Sequence, residues 1–426
     1  MSGAVCSWRK LLRRVRDRRR VASFAVCCGG FAMEIIFSCS RVGCDMKILL
    51  LCWRDTTHPQ GGGSERYLER VAEYCARHGH EVIFRTSSYT DAPRRSMREG
   101  VRFSRSGGKF GVYPKAALGM IAGRLGLGTM RGVDVVVDTQ NGIPFFAALF
   151  SGKPTILLTH HCHREQWPVA GKILSKIGWF LESRVSPWLH QSLRYVTVSQ
   201  PSKDELVGLG VHPERVDIIR NGVDHPPTHM RLEDDGRLHL VTLSRLVPHK
   251  QIEDAIEVVR SLDGVVLDII GSGWWGQQLR DKAADVADRV VFHGQVSEEY
   301  KHALLDRAAI HLMPSRKEGW GLAVIEAAQH RVPTIGYRSS GGLVDSVREG
   351  GVLVGDRDEF VAETRRLLAD SDRREALGAL AYEAAQDYSW DDTGRRFLDL
   401  MERVAHAPAT PTPPASHNEA SDTPNQ

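Results

Sequence analysis

Two pairs of charged residues carry the strongest chemical signal in the sequence. Glu318 and Glu326 stand eight residues apart around a glycine-flanked turn, and carboxylates accept hydrogen bonds from vicinal hydroxyls. Arg245 and Lys250 stand five residues apart after an apolar stretch, and two such cations can neutralise a diphosphate. A ligand with sugar hydroxyls and a diphosphate needs both kinds of group, so together these residues predict a sugar-nucleotide site.

A glycine turn gives a second candidate binding element. Gly61, Gly62 and Gly63 lie between a predicted strand and a helix predicted over residues 64–78, with Ser64 as its N-cap. Unpaired N–H groups and the dipole at a helix N-terminus favour an anion. Glycine turns often serve only a tight connection, and the turn alone does not separate these two interpretations.

A short segment after another predicted strand is rich in metal-ligand residue types. Its members are His160, His161, Cys162 and His163. These types suggest zinc, but the short spacing matches no strong metal signature and no second ligand pair follows. We therefore predict that no metal binds there.

The apolar pattern predicts two α/β halves that position these residues. The strands predicted in the first half cover 47–53, 81–86, 133–137, 155–159 and 195–198, and those in the second cover 238–243, 265–270, 289–293, 310–314 and 334–337. Helical stretches separate the strands, which predicts two doubly wound parallel sheets with helices on both faces. Such sheets bind ligands at the carboxyl ends of their strands, so two halves offer a cleft between facing strand ends.

Charge and residue composition along the chain indicate where the predicted domains begin and end. Residues 1–45 carry a net charge of +6 and five of the eight cysteines, and we predict that this basic, apolar leader is not part of the fold. The predicted first half then covers 46–224, a linker 225–237, the second half 238–389, a last helix 390–404 and a disordered tail 405–426.

Charge and cysteine content exclude some functions. Because the whole chain carries only +4, the residues after the leader sum to −2, which excludes nucleic-acid binding through clustered positive charge. The three cysteines beyond the leader, Cys52, Cys75 and Cys162, indicate reduced thiols and a cytoplasmic protein.

Several motifs, in a fixed order, carry a resemblance to a known family. They are Glu318 and Glu326 with seven residues between them, Ser244-Arg245-Leu246-Val247-Pro248-His249-Lys250, Ile219-Arg220-Asn221-Gly222-Val223-Asp224, Gly271-Ser272-Gly273 and Phe292-His293-Gly294. From about residue 46 to about residue 404 the sequence resembles the retaining family 4 glycosyltransferases of GT-B fold. The resemblance implies two doubly wound Rossmann-like domains that face a central cleft. It also implies sugar transfer from a nucleotide diphosphate sugar with retention of anomeric configuration, without a metal or other cofactor.

The same resemblance assigns roles to residues of this sequence. Arg245 and Lys250 would hold the diphosphate, Glu318 the hydroxyls of the donor sugar, and Glu326 the ribose. His160 would lie near the reacting sugar, and the helix over 390–404 would cross back onto the first domain. Backbone amides around the donor would come from Gly62, Gly63, Gly319, Trp320, Gly321 and Leu322. The sequence departs from the family at Trp320, where many members carry Phe, and at Asp345, where Glu is commoner.

The acceptor side gives weaker signals. His163, Arg164 and Glu165 are candidate acceptor contacts, and an ion pair between Arg164 and Glu165 that holds a loop is an equally good interpretation. The acceptor could be a glycan, a lipid carrier or a small molecule. Residues 115–131 and 172–188 mix basic and apolar side chains, which suits peripheral contact with anionic lipid at the inner face of the membrane, although such stretches more often pack against a sheet.

Two other functions remain open from the sequence. A nucleotide-sugar isomerase or epimerase can share this fold, but it would not need the set Arg245, Lys250, Glu318 and Glu326. A catalytically inactive transferase-like interaction protein is the second alternative, and the presence of all four residues counts against it.

Overall fold

A computed structural model describes residues 46–167, 171–228 and 230–407, so the predicted leader and the predicted tail from residue 408 onward lie outside the described residues. In the described first half, eight strands form one sheet in the order β3-β4-β2-β1-β5-β6-β7-β8. Their bounds are β1 Lys47–Leu51, β2 Glu81–Thr86, β3 Arg95–Arg98, β4 Val101–Arg105, β5 Val135–Thr139, β6 Thr155–Leu158, β7 Arg194–Thr197 and β8 Val216–Ile218. All neighbouring strands run parallel except β3 and β4, which are antiparallel.

The helices of the first half connect these strands. Their bounds are α1 Gly63–Arg77, α2 Gly108–Arg124, α3 Ala147–Phe150, α4 Lys172–Phe180, α5 Ser186–Leu189 and α6 Gln200–Gly208. A π-helical turn over Leu181–Val185 joins α4 to α5.

The second half holds a six-stranded parallel sheet in the order β11-β10-β9-β12-β13-β14. Its strands are β9 Leu238–Leu243, β10 Val265–Ile270, β11 Val290–Gly294, β12 Ile310–Met313, β13 Thr334–Tyr337 and β14 Gly351–Val354. Its helices are α7 Ile252–Ser261, α8 Gly276–Lys282, α9 Glu298–Arg307, α10 Leu322–Ala328, α11 Leu343–Val347, α12 Arg357–Ala369 and α13 Ser371–Ala385.

The central strand β1 shows why the first sheet is covered on both faces. Side chains alternate along a strand, so Ile48 and Leu50 lie in the hydrophobic cluster that includes Tyr67 of α1. Leu49 and Leu51 point the other way, into a second cluster under α2. A nearly continuous apolar run is what a strand buried on both faces requires.

The last helix, α14 Trp390–His406, packs on α1 of the first half. The ring centroid of Tyr67 lies 6.3 Å from that of Trp390 and 6.2 Å from that of Phe397, and both ring pairs meet edge-on. A Cβ on Gly394 would lie 2.3 Å from the ring of Tyr74, so α14 approaches α1 closely at this glycine. The chain therefore returns to the first half after completing the second.

The structure confirms the predicted α/β fold with two sheets of mainly parallel strands, and it differs from the predictions in detail. The prediction that Ser64 caps the first helix is wrong, because α1 begins at Gly63 with Gly62 at the N-cap. The acid three residues later, Glu65, accepts a hydrogen bond from the Gly62 N–H at 2.8 Å, which supplies the capping interaction. Four strands, β3, β4, β8 and β14, were not predicted.

Candidate active site

A cleft of about 370 Å³ lies between the two halves, where loops follow the carboxyl ends of β1, β6, β9 and β12. The residues predicted for catalysis or donor binding all line this cleft: His160, Arg245, Lys250, Glu318, Gly62, Gly63, Gly319, Trp320, Gly321, Leu322 and Glu326. The parallel sheets explain this convergence, since the carboxyl ends of parallel strands share one edge.

Glu318 and Glu326 each have a lysine partner. Nζ of Lys250 donates a hydrogen bond to Oε1 of Glu318, and both side chains are largely buried. Nζ of Lys301 lies 2.7 Å from Oε1 of Glu326 and 2.7 Å from Oε2 of Glu298. Burial alone would lower the pKa of Lys301, but the two carboxylates outweigh burial and raise it. Lys301 therefore stays a cation that holds the Glu326 carboxylate at the cleft.

Arg245 offers free hydrogen-bond donors to the cleft. Its guanidinium donates to no other side chain in the described part of the protein. Glu65 lies nearby, with its carboxylate held by Nε of Arg54 at 3.1 Å and by the Gly62 N–H at 2.8 Å. Burial raises the pKa of Glu65, but Arg54 and Arg245 outweigh that effect and lower it. The Glu65 anion thus fixes the glycine turn and balances part of the positive charge around Arg245.

His160 lies two residues after β6 and is a buried, neutral imidazole. Its ring packs edge-on against Tyr67, with centroids 5.1 Å apart, and only 6% of the residue is exposed. Burial lowers the pKa of His160 to about 4. Its Nε2 has no hydrogen-bond partner among the described residues. At pH 7 this ring can donate or accept a hydrogen bond, but it cannot neutralise a phosphate.

Glycines bring the two halves close together at the cleft. Gly321, at the N-cap of α10, has φ 99°, a left-handed conformation that favours glycine. A Cβ on Gly319 would lie 2.8 Å from the carbonyl oxygen of His160, and one on Gly63 would lie 3.0 Å from Cδ1 of Leu322. The two halves therefore approach each other closely at glycines, where an added side chain would be crowded.

The three candidate acceptor contacts do not line the donor cleft. The backbone N–H and Nδ1 of His163 both lie 3.0 Å from Oε1 of Glu182, a fully buried carboxylate that also accepts from Nε1 of Trp167 at 2.6 Å. Arg164 and Glu165 are exposed, and no ion pair joins them within the described residues. Glu182, and not an Arg164–Glu165 pair, holds this loop. Glu165 instead borders a neighbouring recess.

The two departures from the family pattern have structural roles. Trp320 is buried, with its ring 5.2 Å from that of Tyr388, so it packs the base of the glycine turn. Oδ2 of Asp345 accepts hydrogen bonds from the Gln200 N–H at 3.0 Å and from Arg220 at 3.2 Å. Asp345 thus links the second half to the first.

Sequence reasoning missed three charged residues of the site. Glu65 had a readable signal, since an acid three residues after an N-cap marks a capping box, but the cap had been placed at Ser64. Arg54 and Lys301 belong to no motif and carry no signal in the sequence. Within the described ranges no three His, Cys, Asp or Glu side chains form a potential metal site, and the absence of metal and other cofactors stays a prediction.

Two family models match consecutive parts of the chain. The model described as Glycosyltransferase Family 4 matches residues 61–225, and the model described as Glycosyl transferases group 1 matches residues 230–384. The boundary between the matches falls at the connection between the two sheets.

Curated relatives are transferases and synthases. The chain is 30% identical over 282 residues to a GDP-mannose-dependent alpha-(1-6)-phosphatidylinositol monomannoside mannosyltransferase of Mycobacterium tuberculosis, a match that spans 60% of this chain and 71% of the relative. It is 29% identical over 388 residues to the glycogen synthase of the same organism, spanning 81% of this chain and 92% of the relative.

Solved structures share the fold at low identity. A sucrose-phosphate synthase from Thermosynechococcus elongatus superposes with a TM-score of 0.70 at 18% identity, over 84% of this chain and 99% of that one. Anabaena HepE, in complex with UDP and glucose, superposes with a TM-score of 0.64 at 16% identity, over 84% of this chain and 99% of that one. Taken with the family models and the mannosyltransferase match, these findings show that the chain belongs to glycosyltransferase family 4 and has the GT-B fold.

Proposed function

We propose that this protein transfers a hexose from a nucleotide diphosphate sugar to a hydroxyl of a carbohydrate, lipid-carrier or small-molecule acceptor, with retention of anomeric configuration. One observation supports this most: a single cleft is lined by a cation and by two carboxylates. The cation is Arg245, whose guanidinium has free donors, and the carboxylates are Glu318 and Glu326, each held by a lysine. Cations for a diphosphate and carboxylates for hydroxyls are the groups that such a donor needs.

In this proposal the donor lies across the carboxyl ends of the strands of the second sheet. Arg245 and Lys250 bind the diphosphate, with the amides of Gly62 and Gly63 facing it from the first half. The Glu326 carboxylate accepts hydrogen bonds from ribose, and Glu318 accepts them from the sugar. The turn from Gly319 through Trp320 and Gly321 to Leu322 supplies the remaining amides.

The chemistry is a substitution on one face of the sugar. The bond between the anomeric carbon and the phosphate oxygen breaks, and the acceptor oxygen bonds to that carbon from the same side. The leaving phosphate takes the acceptor proton. Arg245 and Lys250 stabilise the negative charge that grows on the phosphate, and the neutral His160 holds a sugar hydroxyl. Closure of the halves excludes water, which would otherwise hydrolyse the donor.

The relatives favour transfer over the other two functions. Those named above are a mannosyltransferase that depends on GDP-mannose and a glycogen synthase, and neither name describes an isomerase or an inactive interaction protein.

We also propose that the protein touches the cytoplasmic face of a membrane. Leu118 in α2 and Leu125 just after it are 66% and 72% exposed, and in α4, Ile173 and Phe180 are 75% and 58% exposed. Exposed basic residues lie in the same segments: Lys115, Arg124, Lys172, Lys176 and Arg184. Apolar side chains beside basic ones suit an interface with anionic lipid. No described helix has the length and apolar character that spanning a membrane would take.

A panel of nucleotide sugars tests the transferase proposal. The cognate donor, at 100 times its dissociation constant, should add about 2.7 kcal/mol of stability in thermal unfolding. Arg245→Gln should lose that gain, whereas Arg237→Gln, at an exposed arginine outside the cleft, should keep it. The product's anomeric configuration, read by NMR, then tests retention. Epimerised donor in the absence of acceptor would identify an isomerase, and an inverted product would refute the same-face step.

Sedimentation with vesicles that contain anionic lipid tests the membrane proposal. The protein should sediment at low salt, and Ile173→Ser with Phe180→Ser should reduce the bound fraction. Met97→Ser changes an apolar residue that is 61% exposed on β3 and serves as the control. A protein that stays in the supernatant even at low salt would refute this contact.

A further inference from the structure

A second recess, of about 300 Å³, lies in the first half beside the carboxyl ends of β2 and β4 and the start of α2. It is lined by Arg85, Arg94, Arg95, Arg105 and Lys115, together with serine side chains and a glycine. No Asp or Glu is among the described residues that line it. Five cations with hydroxyl groups and no carboxylate make a strongly positive enclosure.

Arg85 is a buried cation without a carboxylate partner in this recess. Only 8% of the residue is exposed, and its guanidinium donates to Oγ of Ser104 at 3.0 Å. Its Nε has no hydrogen-bond partner among the described residues. Arg105, on the neighbouring strand, contrasts with it, because its Nε donates to the buried Asp55 carboxylate at 2.6 Å. A buried charge without a counter-charge is costly, so Arg85 calls for an anion.

The positive end of the α2 dipole lies at the same place. Gly107 is the N-cap with φ 95°, and Gly108 follows with φ 48°. The Gly108 N–H donates to Oγ of Ser88 at 3.1 Å, and both Ser88 and Gly107 line the recess. The first turn of α2 contains no acid and instead carries Lys109, which leaves the positive end of the helix dipole unbalanced.

We propose that this recess binds a phosphate group. Arg85 and the start of α2 form its floor, and the exposed side chains of Arg94, Arg95 and Lys115 close around it. Arginine forks match the oxygens of a phosphate dianion, and the positive end of a helix dipole favours its charge. The ligand is inorganic phosphate, a small phosphate ester or the phosphate of a lipid headgroup, which share this chemistry. The recess is separate from the donor cleft, because no described residue lines both.

Calorimetric titration with inorganic phosphate tests the proposal. The parent protein for the test is the Arg245→Gln, Lys250→Gln variant, so that the cations of the donor cleft do not contribute. We expect it to bind phosphate, and we expect Arg94→Gln with Arg95→Gln to weaken that binding at least about tenfold, as loss of charged hydrogen bonds does. Both residues are exposed, so this pair of changes spares the fold, whereas Arg85→Gln alters a buried site.

The matched control is Arg237→Gln with Arg395→Gln, which removes two exposed arginines outside the recess. Equal phosphate affinity in this control and in the Arg94→Gln, Arg95→Gln variant would overturn the proposal, as would failure of the parent to bind phosphate. Two arms then separate the sources. Displacement of phosphate by glycerol 3-phosphate, with vesicle binding equal in variant and control, assigns a free ester. A larger loss of binding to phosphatidic acid vesicles in the variant than in the control assigns a lipid phosphate.

Discussion

At the scale of the residue, the two carboxylates of the cleft differ in the lysines that hold them. Glu318 is paired with Lys250, which the proposal also assigns to the diphosphate, whereas Glu326 is paired with Lys301 on α9. Donor binding must therefore rearrange the first pair and can leave the second pair as it is. Glu318 is thereby coupled to the reacting end of the donor.

Changing each carboxylate to its amide should separate binding from chemistry. We expect Glu326→Gln to weaken binding of the free nucleoside diphosphate by roughly 1–3 kcal/mol, the usual cost of a lost charged hydrogen bond. We expect Glu318→Gln to spare that affinity and to lower kcat, because it touches the sugar that moves in the transition state. Calorimetry and steady-state kinetics measure the two effects.

Glu298→Gln is the matched control, since it removes the other carboxylate that holds Lys301. If it weakens nucleotide binding as much as Glu326→Gln does, the lysine rather than the ribose contact explains the loss. If Glu318→Gln loses nucleotide affinity while Glu326→Gln keeps it, the two roles are reversed.

The buried His160 should make part of the free energy of unfolding depend on pH. Its pKa is about 4 in the folded protein against an ordinary value of 6.5, so the unfolded chain binds more protons between these values. The free energy of unfolding therefore falls as the pH drops from 6.5 towards 4. His160→Phe keeps a ring against Tyr67 but removes this contribution, so it should lose less stability than the wild type between pH 7 and pH 4.5. Urea unfolding at both pH values measures this.

His212→Phe, at a histidine whose side chain is 63% exposed, should behave like the wild type in the same comparison. Equal losses for His160→Phe and the wild type would show that His160 does not titrate as its burial implies.

Sequence motifs identify residues that line the ligand cleft. They identify less well the residues that hold those side chains in position. Arg245, Lys250, Glu318 and Glu326 stand in family motifs, and the fold places all four at one cleft. Lys301 holds Glu326 from 25 positions earlier in the chain, a separation that only tertiary structure can make short. No spacing rule could have found it.

At the scale of the element, the contact between α14 and α1 depends on one small residue. A Cβ on Gly394 would lie 2.3 Å from the ring of Tyr74, so Gly394→Ala must push the helices apart or displace the ring. We expect a loss of about 1–3 kcal/mol, the range for overpacking a well-filled contact. Thermal and urea unfolding measure it. Gly111→Ala in α2 is the control, because its Cβ would meet no atom within 4 Å; destabilisation of both variants alike would contradict the packing argument.

Three of the four unpredicted strands share a physical feature. β3, β8 and β14 lie at edges of their sheets, where one side makes no ladder and apolar patterning weakens. The fourth, β4, lies between β3 and β2, and its buried positions alternate along the strand. In β3 the sequence Arg-Ser-Met-Arg is mostly exposed and carries no buried alternation. β1 and β10, by contrast, have a neighbouring strand on each side and are nearly fully buried, and their apolar runs predicted that strands occur there.

At the scale of the whole molecule, ion pairs and hydrogen bonds join the halves beside the cleft. Lys317 of the second half pairs with Glu205 of α6, and Asp345 accepts from Gln200 and Arg220 of the first half. All of these contacts lie on the connections that would part if the cleft opened. They therefore favour the closed arrangement.

Weakening these contacts should open the cleft without touching the proposed donor residues. We expect Glu205→Gln with Asp345→Asn to raise the radius of gyration in solution scattering and to raise the donor KM by about 2–30-fold, given roughly 0.2–1 kcal/mol for each of the two partly exposed pairs. Added donor should restore the compact form. Glu257→Gln with Asp399→Asn, which alter pairs internal to one half or helix, is the control. Unchanged scattering in the first variant would mean that these contacts do not set closure.

The return of α14 to the first half has a consequence for the order in which the protein can be made. α1 leaves the ribosome early, yet part of the contact surface of Tyr67 and Tyr74 is supplied by α14, the last helix described. The second half is complete in the nascent chain before the first half can be. We therefore expect the second half to fold first during synthesis and the first half to complete its packing only after α14 has left the exit tunnel, against the usual order of N-terminal domain before C-terminal domain.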